Sequence, residues 1–146
     1  MDFTIRKMVY EDISAVASIE RECFTEPWSE KSFADELENP QATVIVAEID
    51  GVVAAFADIR EVFGEVYINN IAVSEPFRRA GIGDALMKEL LNCVSDEAEF
   101  ISLEVRSKNA EAISLYKKHG YIQVGLRKNF YRQPDDDAVL MTKLLK

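Results

Sequence analysis

Apolar and polar residues alternate along this chain with two different periods, and the changes between them outline a fold. Residues 3–8, Phe-Thr-Ile-Arg-Lys-Met, alternate singly and predict a first strand. From Glu11 to Phe24 the apolar positions Ile13, Val16, Ala17 and Ile19 return at helical spacing, with acids near the start, which predicts an amphipathic helix. Pro27 interrupts that pattern, Ser29 is placed to cap a second helix over Glu30–Glu38, and Asn39-Pro40 ends it. Thr43–Ile49 and Val52–Val62 read as strands joined at Asp50-Gly51, a hairpin signal. Gly64 marks another turn, and Glu65–Val73 forms a fourth strand.

Beyond Val73 the pattern changes. Residues 74–83 are rich in small and basic residues and read as a loop. A helix follows, with Ile82, Leu86, Leu90 and Cys93 at helical spacing and Met87, Leu91 and Val94 beside them. Phe100–Arg106 reads as a fifth strand. Asn109 caps a helix that runs to about His119, where Gly120 ends it. Tyr121–Leu126 is a sixth strand, Asn129–Asp137 a polar loop and Ala138–Leu144 the last strand. Apart from Asp135-Asp136-Asp137 there is no low-complexity run, and there is no linker or repeat. The expectation is one mixed α/β domain over residues 1–146, with hairpins first and strand–helix–strand units after.

Composition narrows the classes. The chain has 146 residues, 48% hydrophobic and 29% charged, which is a globular rather than a disordered balance. Two isolated cysteines, Cys23 and Cys93, are too few for a disulfide framework or a zinc site and read as buried small hydrophobes. A single histidine, His119, excludes the common His-rich metal sites, so no metal is expected. No apolar run approaches the ~20 residues of a membrane span, and the start lacks the apolar stretch of a signal peptide. A cytoplasmic protein is therefore expected. A net charge of −9 argues against binding nucleic-acid backbone and suits a basic protein or peptide partner.

One loop carries candidate chemistry. Arg78-Arg79-Ala80-Gly81-Ile82-Gly83 lies between a strand and a helix. A helix start presents N–H groups and the positive end of its dipole. Two glycines let the backbone approach a ligand, and two arginines pair well with phosphate. These properties fit a pyrophosphate cradle. They also fit a strand-to-helix turn whose arginines are solvated. No Gly-Lys-Ser/Thr follows, so the loop is not a P-loop, and Leu86 stands where a dinucleotide fingerprint needs its third glycine.

The segment resembles the Arg/Gln-x-x-Gly-x-Gly/Ala motif of the GNAT superfamily of acetyl-CoA-dependent N-acetyltransferases. The context is similar too, with Asn70-Ile71-Ala72-Val73 before it on a strand and a long amphipathic helix after it, and further on Leu103-Glu104-Val105-Arg106-Ser107-Lys108-Asn109-Ala110-Glu111-Ala112-Ile113-Ser114-Leu115-Tyr116 resembles the second signature of the RimI branch. Pro27-Trp28-Ser29 and Asn129-Phe130-Tyr131 extend the likeness to nearly the whole chain. Members of that branch acetylate protein N-termini, notably the N-terminal alanine of a small-subunit ribosomal protein. The resemblance implies an α/β (α+β) GNAT fold: a mixed, mostly antiparallel sheet of about seven strands with about four helices, splayed between the fourth and fifth strands.

It also implies roles. Arg78, Arg79, Ala80, Gly81, Ile82, Gly83 and Asp84 would contact the pyrophosphate of acetyl-CoA, largely through backbone N–H groups. Ile71, Ala72 and Val73 would hydrogen-bond the pantetheine arm as an added strand. Asn109 would add a cofactor contact. Glu104 would take the proton of the acceptor amine, directly or through a water. Alternation places Glu104 on one face with Ser102 and Arg106, so a plain ion pair with Arg106 is the competing explanation. Tyr116 would protonate the departing thiolate, against the alternative of a core aromatic. No hydroxyl or thiol nucleophile lies in a recognisable elbow, which favours direct attack by the amine.

For the acceptor, the resemblance points to two stretches, one with Phe24, Pro27, Trp28 and Ser29 and one with Phe130 and Tyr131. Trp28 serves equally well as a core plug under the second helix. Glu26, Glu30, Asp135, Asp136 and Asp137 make both regions acidic, which suits a basic N-terminal tail. The leading expectation is acetyl transfer to a protein α-amine. The alternatives are a GNAT enzyme for lysine side chains or a small amine, and a CoA-binding module without turnover. No nucleic acid or membrane partner is expected.

Overall fold

The computed structural model describes residues 2–146. Seven strands and four α-helices form: β1 Thr4–Lys7, α1 Ile13–Cys23, α2 Glu30–Glu38, β2 Ala42–Ile49, β3 Val52–Val62, β4 Glu65–Val73, α3 Ile82–Leu90, β5 Phe100–Arg106, α4 Ala110–Lys118, β6 Ile122–Tyr131 and β7 Asp136–Leu144. The strands make one mixed sheet in the order β1-β2-β3-β4-β5-β7-β6. β4 and β5 are parallel, and their pairing runs from Glu65↔Phe100 only to Tyr67↔Ser102, although both strands continue past it. This is the mixed sheet with an early-ending β4–β5 ladder that the sequence led us to expect.

Four elements, α2, β3, β4 and β5, have the anticipated bounds. The others differ for local reasons. The first helix is split: Tyr10–Asp12 is a 3₁₀ turn and α1 starts at Ile13. Asp12 tightens that turn, accepting from the Val9 N–H at 2.8 Å and from Arg6 Nη1 at 2.7 Å. The third helix stops at Leu90 although the apolar spacing runs on. Leu91, Asn92 and Cys93 donate to Lys88, Glu89 and Leu90, three residues back, so the chain leaves the helix in tighter turns. The expected polar loop from Asn129 is instead the end of β6, which reaches Tyr131, and β7 begins at Asp136. A register shift between Arg127 and Tyr131, with Asn129 at φ 54°, lets the strand absorb that irregular stretch.

The chain clusters into two compact units. The first comprises the described residues up to Arg60 with Asn69–Cys93. Its core gathers Ile13, Val16 and Ala17 of α1, Phe33 of α2, Val44 and Val46 of β2, and Phe56 of β3. Phe33 and Phe56 meet edge to face with centroids 5.5 Å apart. Fully burying such a ring stabilises the fold by about 2–3 kcal/mol. Asp50 and Gly51 both have positive φ, as a two-residue hairpin turn with the right twist requires. Cys23 and Cys93 are free and half-buried rather than buried as expected.

The second unit comprises Glu61–Ile68 and Val94–Lys146. On β5 the residues Ile101, Leu103 and Val105 are buried, and Met141 and Val139 of β7 join them. Gly64 is required by a close approach: a Cβ there would lie 2.7 Å from the Glu97 carbonyl oxygen. β6 is the last strand of the sheet, and its Ile122, Val124 and Leu126 are exposed. Among the described residues no helix is long and apolar enough to cross a membrane.

Candidate active site

In the first unit, β4 ends at Ile71, Ala72 and Val73, and the segment from Arg78 leads into α3. Gly81 caps that helix at φ 82°, a left-handed conformation that suits glycine, and Arg79 before it is also left-handed at φ 66°. No atom lies within 4 Å of the place a Gly81 Cβ would take, so one side of the cap is open. The Ala85 N–H is the first to return to the cap carbonyl, at 3.1 Å. The amides of Ile82 and Gly83 thus belong to the helix start, where N–H groups and the dipole favour an anion. The geometry fits a phosphate-bearing ligand. Arg78, by contrast, is turned back onto the fold: its Nε donates to the Val73 carbonyl at 2.9 Å and its Nη2 to Cys23 Sγ at 3.4 Å. Cys23 Sγ itself points to the Val73 carbonyl at 3.8 Å.

The same unit holds Trp28 and Ser29. Ser29 caps α2, accepting from the Ser32 N–H at 3.1 Å. Trp28 is half-buried, and the core-plug alternative describes its packing. Its ring leans on the core through Phe33, centroids 5.4 Å apart, while the flanking Pro27 and Ser29 stay exposed. Below it lies a group of acids that motif reading missed. Glu20 is buried; its Oε2 accepts from the Trp28 N–H at 3.0 Å and both its oxygens accept from Asn70 Nδ2 at 2.8 Å. Burial raises the Glu20 carboxyl above its usual range, against the pull of those hydrogen bonds. Glu36, also buried, accepts from Arg60 Nε at 3.0 Å and Nη2 at 2.5 Å. Burial works to raise Glu36, but the Arg60 bonds and its other donors outweigh it and hold the carboxylate below the usual range. Asp58 is fully buried beside it.

A signal for this group was present in the sequence. Glu20 follows Ile13, Val16 and Ala17 at helical spacing, an acid on the core-facing stripe of α1. Asp58 interrupts the apolar run Ala54-Ala55-Phe56-Ala57.

In the second unit β5 alternates as expected: Glu104 lies outward with Ser102 and Arg106. Glu104 Oε1 lies 3.6 Å from Arg127 Nη2 of β6, with a third of the Glu104 side chain exposed. Arg106 reaches the late turn, donating to the carbonyls of Pro134 at 2.7 Å and Arg132 at 2.9 Å. Its guanidinium sits 4.5 Å from the Tyr131 ring centre, a cation–π contact that fixes the ring. Tyr131 is half-buried, and the nearby Glu104 charge adds to burial in raising its phenol.

Asn109 caps α4, accepting from the Ala112 N–H at 3.2 Å. Two turns on, Tyr116 is buried. Burial, and then the neighbouring Tyr121 and Tyr131, push its phenol well above the usual range, so it stays protonated at neutral pH. The second unit therefore brings together a partly open carboxylate, a buried protonated phenol and an aromatic wall. The late acids divide. Asp136 is buried and consumed structurally, accepting from Ser107 Oγ at 2.5 Å and the Lys108 N–H at 3.2 Å. Asp137 accepts from the Asn129 N–H at 2.8 Å, while Asp135 is exposed. Asp136 is thus not one of the free acids that the sequence suggested for a basic tail.

Comparison with known proteins places these elements in a family. A model of the acetyltransferase (GNAT) family matches residues 13–121. An Escherichia coli ribosomal protein bS18-alanine N-acetyltransferase is 35% identical over 145 residues, covering 94% of this chain and 95% of that protein. A Bacillus subtilis protein provisionally named for the same activity is 40% identical over 139 residues, covering 94% and 92%. The crystal structure of the ribosomal-protein-S18-alanine N-acetyltransferase from Escherichia coli superposes with a TM-score of 0.91 at 32% identity, covering 99% of this chain and 95% of that one.

Proposed function

Since the chain belongs to the acetyltransferase (GNAT) family, whose enzymes use acetyl-CoA, we propose that it acetylates the N-terminal alanine of the ribosomal protein bS18 in the cytoplasm, working as one domain over residues 1–146. The observation that carries this reading is the likeness, over more than nine-tenths of the chain, to enzymes named for that reaction. Acetyl-CoA supplies the acetyl group. Arg79, Ala80, Gly81, Ile82, Gly83 and Asp84 hold its pyrophosphate at the start of α3, with Arg78 at the rim. Ile71, Ala72 and Val73 pair with the pantetheine arm along β4 beyond its ladder with β5, and Asn109 adds a contact. Trp28, Ser29 and Tyr131 line the acceptor peptide.

The residues divide the proton transfers. An α-amine titrates near ~7.7–8.0 and must be neutral to attack. Glu104 takes its proton, directly or through one water, from a position that stays open to solvent. The neutral amine nitrogen then bonds to the acetyl carbon, the carbon–sulfur bond breaks, Tyr116 gives its proton to the sulfur, and the second proton leaving the nitrogen passes through solvent to restore the phenol. The buried, raised phenol suits that role, because it still holds its proton when the sulfur needs it.

Two peptides test the reading. One begins with free Ala followed by basic residues; the other is the same peptide with a blocked N-terminus and one added Lys. Acetylation of the first alone is expected. Acetylation of the second alone would overturn the α-amine assignment and favour a lysine enzyme. Release of no thiol with any amine, while acetyl-CoA still binds, would favour a module without turnover.

A further inference from the structure

The acids beneath Trp28 form a continuous chain of contacts that the reaction above does not use. Glu20 of α1 holds the Trp28 N–H and the side chain of Asn70, which precedes the cofactor strand segment Ile71–Val73. Arg60 of β3 lies over the Trp28 ring at 5.8 Å and is clamped by Glu36 of α2. Asn69 Nδ2 reaches Glu36 at 3.5 Å. Asp58 ends the chain of contacts. Both of its oxygens are buried and meet no ordinary donor among the described residues. Asp58 stands two residues before Arg60 on β3, so both side chains leave the same face, the one on which Arg60 meets the Glu36 carboxylate. Two carboxylates share a hydrogen bond only if one carries a proton. Glu36, saturated by cationic and amide donors, is the one that stays ionised. We propose that Glu20, Glu36 and neutral Asp58 are positioning residues of the acceptor subsite, fixing Trp28 to the Asn69–Asn70 stretch of β4, with Asp58 donating its proton to Glu36.

The inference rests on the placement of the acceptor at Trp28, and the tests separate the two. Trp28→Ala should raise the peptide KM by about tenfold, as truncating an aromatic contact does. Glu20→Gln keeps the shape but weakens the grip on Trp28 and Asn70. It should raise the peptide KM by about fivefold, with the acetyl-CoA KM within about twofold. No change in peptide KM for Trp28→Ala overturns the acceptor placement, and the proposal with it. A tenfold rise for Trp28→Ala with none for Glu20→Gln leaves the placement and overturns the proposal.

Asp58→Asn tests the proton. The groups facing Asp58 are Glu36 from α2, Arg60 from β3 and Glu20 from α1, while β2 presents Val44 in register. In the folded chain burial and Glu36 raise the Asp58 carboxyl from 3.8 to about 9. Between those values the native state holds a proton that the unfolded state has lost, so native stability falls as pH rises. Asn keeps the donor and has no proton to lose. The Tm of Asp58→Asn should therefore exceed that of the unaltered protein, with a gap that widens from pH 5 to pH 9 and reaches about 4 °C or more. The peptide KM ratio, unaltered protein over variant, should rise about threefold from pH 7 to pH 10 as the two carboxylates begin to repel. A Tm gap of opposite sign, or one independent of pH, overturns the neutral Asp58. A flat KM ratio overturns its link to the acceptor.

Discussion

Four acids of this chain are held in two contrasting ways. Glu20, Glu36 and Asp58 are buried in the first unit, and Glu20 and Glu36 are gripped by hydrogen bonds as short as 2.5 Å. Glu104 in the second unit leaves a third of its side chain in solvent and meets one arginine at 3.6 Å. Under the proposed function the same chemical group serves opposite purposes. A carboxylate that must accept a proton during turnover needs an exposed oxygen and a loose partner. A carboxylate that must hold a segment in place needs its lone pairs filled, because in a buried site every unfilled one costs free energy.

Removing each kind of acid should therefore fail differently. Glu104→Gln should lower kcat/KM by about 10²–10⁴-fold with little change in Tm, since general-base catalysis contributes on that scale. The loss should deepen as pH falls below the amine's ordinary range, where more acceptor is protonated; a pH–rate profile parallel to that of the unaltered enzyme would remove Glu104 from the base role. Glu36→Ala should act on the fold. It strips Arg60 and Asp58 of their partner and opens a void, and should cost about 2 kcal/mol, a figure kept low because Arg60 is partly in solvent. Thermal unfolding reads it directly, and an unchanged Tm would erase the contrast between locked and open acids.

Tyr116→Phe should lower kcat by about 10–100-fold with acetyl-CoA affinity kept, which stopped-flow turnover and calorimetric titration separate. A large affinity loss with normal turnover would make Tyr116 a packing residue. Arg127→Ala should be the mildest. An exposed pair of this kind is worth under about 1 kcal/mol, so Tm should hold and kcat/KM should fall about twofold. A destabilisation as large as that of Glu36→Ala would show that Glu104 is locked after all.

Much of this was legible in the sequence. Asp50-Gly51 set one hairpin, and the alternation of Phe100–Arg106 by itself places Glu104 outward. The Arg-Arg-Ala-Gly-Ile-Gly run marked the start of α3 because local chemistry and local structure coincide there. What stayed hidden depended on distant partners. Glu104 meets Arg127, which β6 brings to it from 23 residues along the chain and two strands away in the sheet. Asp136 resembled its exposed neighbour Asp135 until Ser107 and Lys108 folded onto it. The end of α3 departs from the apolar spacing because that spacing reports which face is buried, not which hydrogen bond closes the turn. The Glu20 and Asp58 group draws on α1, α2, β3 and β4, and no local motif spans them.

The exposure of β6 has a consequence for handling the protein. An outermost strand has one row of backbone N–H and C=O groups that no neighbouring strand takes, and Ile122, Val124 and Leu126 add greasy side chains along it. Such an edge is where a second copy would add itself, in concentrated stocks or during refolding, and seed a precipitate. The register shift after Gln123 and the cations Arg127 and Lys128 keep the vulnerable length short. A lysine in place of Val124 would be the first change to make for a more soluble preparation.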